Sequence, residues 1–270
     1  MRRSSYEMGE LSRVKIYPNN PMLLLDAAVR YSLAASLAYL PAQSLLEGKA
    51  EYSRRLAPYL TFSEQLLVPH LSASCTVFDV VSDEEGADVV VAFRGSTTLV
   101  NYRSMFNLGF VPSELGSEGN VHRGYQEASL CLFQQLEPIL KKRGARRAVF
   151  VGHSFGGGTA TMCALLNSRE SDEDTLVTFA GPRVGDTAFA SSFDRSLGTR
   201  TTHLVHDLDP VLAQNQPLWN ALGFVHTGKL VRCSPAEPRF LCDNERTFGL
   251  PLNFADHAKY LGTYIGPRKG

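Results

Sequence analysis

Ala148-Val149-Phe150-Val151-Gly152-His153-Ser154-Phe155-Gly156-Gly157-Gly158 is the stretch that decides how this chain is read. It opens as an apolar, β-branched and aromatic run, the pattern of a buried strand. It closes in glycines that lead into Thr159-Ala160-Thr161-Met162-Cys163-Ala164-Leu165-Leu166, a helix-forming run. Between them lies Gly152-His153-Ser154-Phe155-Gly156, a Gly-x-Ser-x-Gly pattern in strand–turn–helix context. Such a turn holds its serine in a strained conformation at the tip of a sheet, and side chains at the flanking glycines would collide with neighbouring backbone. The helix N-terminus then points its positive end at the place where negative charge develops. Ser154 is the candidate nucleophile.

Outward from this stretch the same alternation continues. On the N-terminal side, Thr76–Val81 and Asp88–Phe93 are strand-like, and Asp83-Glu84-Glu85-Gly86 between them predicts an antiparallel hairpin. Gly124–Lys142 is a predicted helix, with Tyr125, Ala128, Leu132, Leu136 and Ile139 on one apolar face and basic residues in its last turn. On the C-terminal side come a strand at Leu176–Ala180, a short helix at Thr187–Phe193 and a strand at Thr201–His206. Late strands are expected at Phe224–Cys233 and Arg239–Cys242, and a last helix at Asn253–Tyr264. Before the hairpin, helices are expected at Met22–Leu40, Ser44–Leu60 and Phe62–Leu71. Strands apolar throughout and alternating with helices predict a mostly parallel sheet covered on both faces, made mixed by the early hairpin. No linker divides the chain, so residues 1–270 are read as one domain, with residues 1–20 as an N-terminal arm.

Composition narrows the classes. The 270 residues are 44% hydrophobic and 20% charged, within the range of a soluble globular fold. Lys+Arg and Asp+Glu both total 27, so no net field favours nucleic acid or an anionic membrane. The cysteines, Cys75, Cys131, Cys163, Cys233 and Cys242, have no Cys-x-x-Cys spacing, which argues against a zinc site. Cys131 and Cys163 read as buried thiols. Cys233 and Cys242 are spaced to bridge two neighbouring strands, although reduced cysteines are the simpler reading. Met1–Glu10 is polar and unlike a signal peptide, and Asp26 and Arg30 interrupt the apolar run of residues 22–40. The expectation is therefore a cytoplasmic chain with no transmembrane segment.

A serine nucleophile needs a base, a carboxylate to orient that base, and donors for the oxyanion. In chains built around this turn the order is serine, then acid, then histidine. Of the seven histidines, His203, His206, His226 and His257 follow Ser154, and His257 has the expected late position. Asp207 and Asp209 compete as the acid at a strand end; Asp209 is preferred because Pro210-Val211 fixes the chain as it leaves the sheet. The backbone N–H of Phe155 is one expected oxyanion donor and Ser96, after Phe93-Arg94-Gly95, is the other. Arg94 reads as a tie between loops. Leu99–Phe106 mixes apolar and polar residues beside Ser96, as a short amphipathic cover over the site would.

The matched pieces, in order, are Val91-Ala92-Phe93-Arg94-Gly95-Ser96, Val121-His122-Arg123-Gly124-Tyr125 and Val151–Gly157, then Thr178–Gly185, Val205–Val211 and Asp256–Leu261. With these the chain resembles the class 3 lipases, the fungal triacylglycerol-lipase-like group of α/β-hydrolases. The resemblance covers residues 76–262 and implies an α/β-hydrolase fold. It also implies a Ser154–Asp209–His257 triad, an oxyanion hole at Ser96 and Phe155, and a lid after Ser96. It further implies hydrolysis of carboxylic esters of lipids, usually acylglycerols, without a cofactor or metal and with transient contact at a lipid interface. Phospholipase A1, lipid acyltransferase and a non-catalytic lipid-binding relative are the alternatives. Phe155 stands where the family has leucine, and Leu212–Gln216 where it often has a proline-rich stretch.

Overall fold

The structure is a computed structural model. It describes residues 25–48, 50–82, 86–96, 109–206, 209, 216–232, 239–241, 257–261 and 263–267. In chain order its elements begin with helices α1 (Leu25–Leu37), α2 (Ala42–Glu47) and α3 (Glu51–Leu56). Strands β1 (Leu60–Val68), β2 (Ala73–Val80), β3 (Val89–Phe93), β4 (Phe110–Pro112) and β5 (Asn120–His122) follow. Then come α4 (Arg123–Arg143), β6 (Ala148–His153), α5 (Phe155–Asn167), β7 (Thr175–Phe179) and β8 (Gly185–Asp186). The remainder is α6 (Thr187–Ser196), β9 (Thr201–Val205), α7 (Gln216–Ala221), β10 (Phe224–Val225), β11 (Lys229–Arg232), β12 (Arg239–Leu241), β13 (Lys259–Tyr260) and β14 (Thr263–Tyr264).

The main sheet has the order β1-β2-β3-β6-β7-β9-β11-β12 among the described residues. Neighbours from β3 to β11 pair in parallel, while β1–β2, β2–β3 and β11–β12 are antiparallel. This is the mostly parallel, mixed sheet of the α/β-hydrolase expectation. Period-2 alternation divides its side chains between two cores. Ala148 and Phe150 of β6 join Val89, Val91 and Phe93 of β3 against α4 and α5. Val149 and Val151 join Val90 and Ala92 on the opposite face, against α1 and the C-terminal hairpin β13–β14. A smaller sheet, β10-β8-β5-β4, lies apart from the main one.

Helix α4 buries Tyr125, Ala128, Leu132 and Leu136, as its periodicity predicts; Leu140, not Ile139, completes the stripe. Cys163 is buried, whereas Cys131 is only half-buried. Residues 1–20 and the pair Cys233 and Cys242 lie outside the described residues.

Several expectations are corrected. The helix expected at Phe62–Leu71 is mainly strand β1, with one 3-10 turn at Pro69–Leu71. Six residues of that stretch, Phe62 and Glu64–Val68, pair with β2, with a bulge between Phe62 and Glu64, and this ladder outweighs a weak helical pattern. The helix expected at Ser44–Leu60 divides into α2 and α3, with Gly48 in the left-handed region at φ 61° between them. The strand expected at Phe224–Cys233 divides as well: β10 joins the small sheet and β11 the large one. Strand β4 leaves its Phe110 37% exposed. Of the last helix expected at Asn253–Tyr264, His257 and Ala258 are helical, residues 253–256 lie outside the described residues, and the chain then enters the β13–β14 hairpin, with Leu261 at φ 49°.

The central turn depends on close backbone approach. A Cβ on Gly156 would lie 2.6 Å from the carbonyl carbon of Phe93 and 2.7 Å from that of Arg94. Only a glycine lets the first turn of α5 rest on the end of β3. Replacement Gly156→Ala is therefore expected to lower stability by about 1–3 kcal/mol, as overpacking does. Urea unfolding checks this, and an unchanged midpoint would contradict it.

Candidate active site

The residues singled out in the sequence gather at the C-terminal ends of the parallel strands, where open α/β sheets carry their sites. Ser154 follows β6 directly and forms the N-terminal boundary of α5. Its backbone is at φ 54° and ψ −125°, the strained turn expected of this motif. The turn is held by Ser154 N–H donating to Phe179 O at 3.0 Å and by Gly157 N–H donating to Ser154 O at 2.8 Å. Ser154 is buried, with 7% of the residue exposed.

His257 Nε2 lies 3.0 Å from Ser154 Oγ, and His257 Nδ1 lies 2.8 Å from Asp209 Oδ2. A carboxylate oxygen accepts, so Nδ1 carries the proton and Nε2 offers its lone pair to the serine hydroxyl. Asp209 is fully buried and the His257 side chain is 15% exposed, so the pair is shielded from competing water. Three residues spread over 103 positions of sequence thus form one hydrogen-bonded line.

Ser96 comes three residues after β3, and it is half-buried. Its neighbour Gly95 packs on the serine turn: a Cβ there would lie 2.7 Å from His153 O and 3.2 Å from Ser154 Cβ, and would collide with the Tyr39 hydroxyl. Phe155 is the first residue of α5, where backbone N–H groups have no partner within the helix. Its ring packs 5.2 Å from that of Tyr125. Arg94 is a tie, as expected: its guanidinium donates to Ser72 O at 3.1 Å.

The other histidines stand elsewhere. His203 is buried with Nδ1 2.7 Å from Thr178 Oγ1 and Nε2 3.1 Å from Thr227 Oγ1. His226 packs against it at 5.5 Å between ring centroids. His206 Nε2 donates to Lys259 O at 3.1 Å. Asp207 and the Leu99–Phe106 segment lie outside the described residues. Asp194, on α6, accepts from Gly228 N–H at 2.7 Å, and burial raises its carboxyl above the usual range.

Sequence reasoning passed over two residues. His153, buried at the end of β6, has Nδ1 2.7 Å from Tyr39 Oη and Nε2 2.7 Å from the main-chain oxygen of His257. Tyr39 comes just after α1, and 114 residues separate it from His153, so no local pattern joins them. The only sequence signal is that His153 directly precedes Ser154 in the motif.

The family description Lipase (class 3) matches residues 90–214. That part of the chain, 125 of its 270 residues, is similar to the class 3 lipases. A lipase of Rhizomucor miehei is 34% identical over 152 residues, covering 52% of this chain and 40% of its own length. Secreted mono- and diacylglycerol lipase 1 of Fusarium solani is 29% identical over 136 residues, 49% of this chain and 40% of its own. The chain thus spans less than half the length of these two relatives. Among solved structures, a triacylglycerol lipase with a serine-protease triad superposes with a TM-score of 0.72 at 22% identity, covering 90% of this chain and 96% of its own. That likeness carries the α/β-hydrolase fold. The family match includes Ser96, Ser154 and Asp209 but neither Tyr39 nor His257. Among the described residues no helix is long and apolar enough to cross a membrane.

Burial, and then the nearby His257, push the His153 imidazole down to about 3 from an ordinary value of 6.5. A folded-state value below the unfolded one gives stability that is fully present above pH 6.5. It is lost as pH falls toward 3, because the unfolded chain takes up the proton first. The slope is about 1.4 kcal/mol per pH unit inside that window. Chemical denaturation at pH 6 and pH 4 should therefore show His153→Gln losing ~2 kcal/mol less than wild type between the two. Equal losses would mean that His153 titrates normally.

Proposed function

We propose that this chain hydrolyses carboxylic esters of lipids, acylglycerols foremost, through an acyl-enzyme on Ser154. The observation that carries the reading is the continuous line from Ser154 Oγ through His257 to Asp209, at 3.0 and 2.8 Å. The match of residues 90–214 to the class 3 lipases supports the same chemistry.

In this reading Ser154 Oγ attacks the ester carbonyl carbon while His257 Nε2 takes the hydroxyl proton. The carbonyl π electrons move to the oxygen, where the Phe155 N–H and Ser96 are the proposed donors and the positive end of α5 adds to them. Collapse breaks the bond to the alcohol oxygen, which leaves with the proton from His257. Water then attacks the acyl-serine by the same steps, giving the carboxylic acid and free Ser154. Asp209 holds His257 in the Nδ1–H tautomer and stabilises the imidazolium of each proton transfer.

The substrate is read as a lipid ester met at a lipid interface. The "secreted" in the name of the Fusarium solani relative supports action outside the cell over the cytoplasmic location expected from the sequence. A panel of p-nitrophenyl esters, triacylglycerols and phospholipids of graded chain length, together with fluorophosphonate labelling, tests the reading. Hydrolysis of acylglycerols with labelling at Ser154 is expected. Preference for phospholipids, or transfer to an added alcohol, would redefine the substrate, and failure to label would leave a lipid-binding protein.

Ser154→Ala or His257→Ala should each lower kcat by about 10⁶, because members of a triad act as one unit. Asp209→Asn should cost on the order of 10⁴ by favouring the wrong histidine tautomer. Steady-state kinetics on a soluble ester reads both, and a larger loss from Asp207→Asn would move the acid to Asp207.

Ser96→Ala keeps the main-chain N–H and removes only the hydroxyl. It is expected to lower kcat by no more than the roughly 10²–10³ of one oxyanion donor, with little change in KM. An unchanged kcat would exclude the Ser96 hydroxyl as a donor.

A further inference from the structure

The His257 main chain lies at the end of a second hydrogen-bond line that does not touch its ring. A carbonyl oxygen can only accept, so the 2.7 Å contact to His257 O requires the proton of His153 to be on Nε2. Neutral His153 then has a lone pair on Nδ1, and the Tyr39 hydroxyl donates to it at 2.7 Å. Burial keeps the ring neutral. The Tyr39 hydroxyl occupies the remaining ring nitrogen, while the rings of His153 and His257 lie 5.0 Å apart between centroids. A charged His153 at that distance would oppose the imidazolium that His257 must become.

Tyr39 is itself fixed from two sides. The Gln65 side chain of β1 donates to Leu40 O at 2.9 Å and accepts from Ala42 N–H at 3.1 Å, clamping the turn that carries Tyr39. Gly95 leaves the space that the hydroxyl occupies. The helix leading into that turn also holds the hairpin after His257: Ser32 Oγ donates to Thr263 Oγ1 at 2.8 Å and Ser36 Oγ to Tyr264 O at 2.7 Å. Ser32, Ser36 and Tyr39 recur at helical spacing along one side of the N-terminal segment. All three point to the part of the chain that carries the base.

We propose that Tyr39 and His153 are positioning residues for His257, holding its main chain so that the imidazole lies within reach of Ser154. This rests on the hydrolase reading above. The line fixes the backbone from which the ring projects, while Asp209 fixes the ring's rotation. Without it, His257 retains its carboxylate partner but not its distance to Ser154 Oγ, and displacement on the order of 1 Å costs about 10²-fold in rate.

The test compares Tyr39→Phe, His153→Gln, His153→Phe and Asn167→Ala with wild type in thermal melting, kcat and KM on a soluble ester, and the fluorophosphonate labelling rate. Tyr39→Phe removes one oxygen without changing ring shape. It is expected to lower kcat and labelling rate by roughly 10–100-fold with KM nearly unchanged. His153→Gln keeps an N–H donor and an acceptor, and should recover at least tenfold of the activity lost in His153→Phe. Asn167→Ala, which removes a buried 2.8 Å hydrogen bond to Asp174 at the far end of α5, should lower Tm and leave kcat near wild type. Wild-type kcat in Tyr39→Phe would overturn the inference. So would a kcat loss in Asn167→Ala as large as that in Tyr39→Phe at a similar drop in Tm, or His153→Gln no better than His153→Phe. Absence of labelling in wild type would instead overturn the hydrolase reading itself.

Discussion

Everything at the site depends on one unfavourable backbone conformation. Ser154 is held at φ 54° in a residue that carries a Cβ, a conformation that costs of order 1–3 kcal/mol. The neighbours offset that cost. Strand β7 supplies the carbonyl of Phe179 that accepts from Ser154 N–H, and the end of β3 lies so close that Gly156 has no room for a side chain. The serine is presented only because β6 is central, with parallel partners on both sides. A strand at the edge would lack one of these two supports.

The central position follows from side-chain alternation. Both faces of β6 are apolar, so both must be covered. On one side α4 and α5 provide the cover, built from residues adjacent in sequence to the turn. On the other, the cover comes from the N-terminal helix α1 and the C-terminal hairpin, the two parts of the described chain farthest apart in sequence. The polar residues of α1 meet the hairpin where the apolar ones meet the sheet. A single helix therefore completes the core and holds the segment that bears His257.

Inside this frame the polar groups divide their tasks. Asp209, fully buried, has its carboxylate on the His257 ring, and His153, almost as deeply buried, has its imidazole on the His257 main chain. Burial excludes water from both contacts, which makes each one directional and costly to leave unmade. The same burial acts oppositely on function: it shields the Asp209–His257 contact and keeps His153 from acquiring charge.

Taken alone, the sequence determined the parts governed by local signals. The strand–turn–glycine–helix run identified Ser154, periodicity identified α4, and chain order pointed to Asp209 and His257. Such signals are legible because a tight turn or an amphipathic face leaves its mark within a dozen residues. The tertiary structure alone decided that Phe62–Leu71 is mostly strand and that Lys259–Tyr260 pairs with Thr263–Tyr264, since pairing with another strand or turning at Leu261 leaves no periodic trace. It alone brought Tyr39 to His153. That contact joins residues 114 apart, and the space for it comes from the missing side chain of Gly95. Local chemistry selects which residues are able to react, but only the packing of distant segments sets the ångström-scale distances at which they meet.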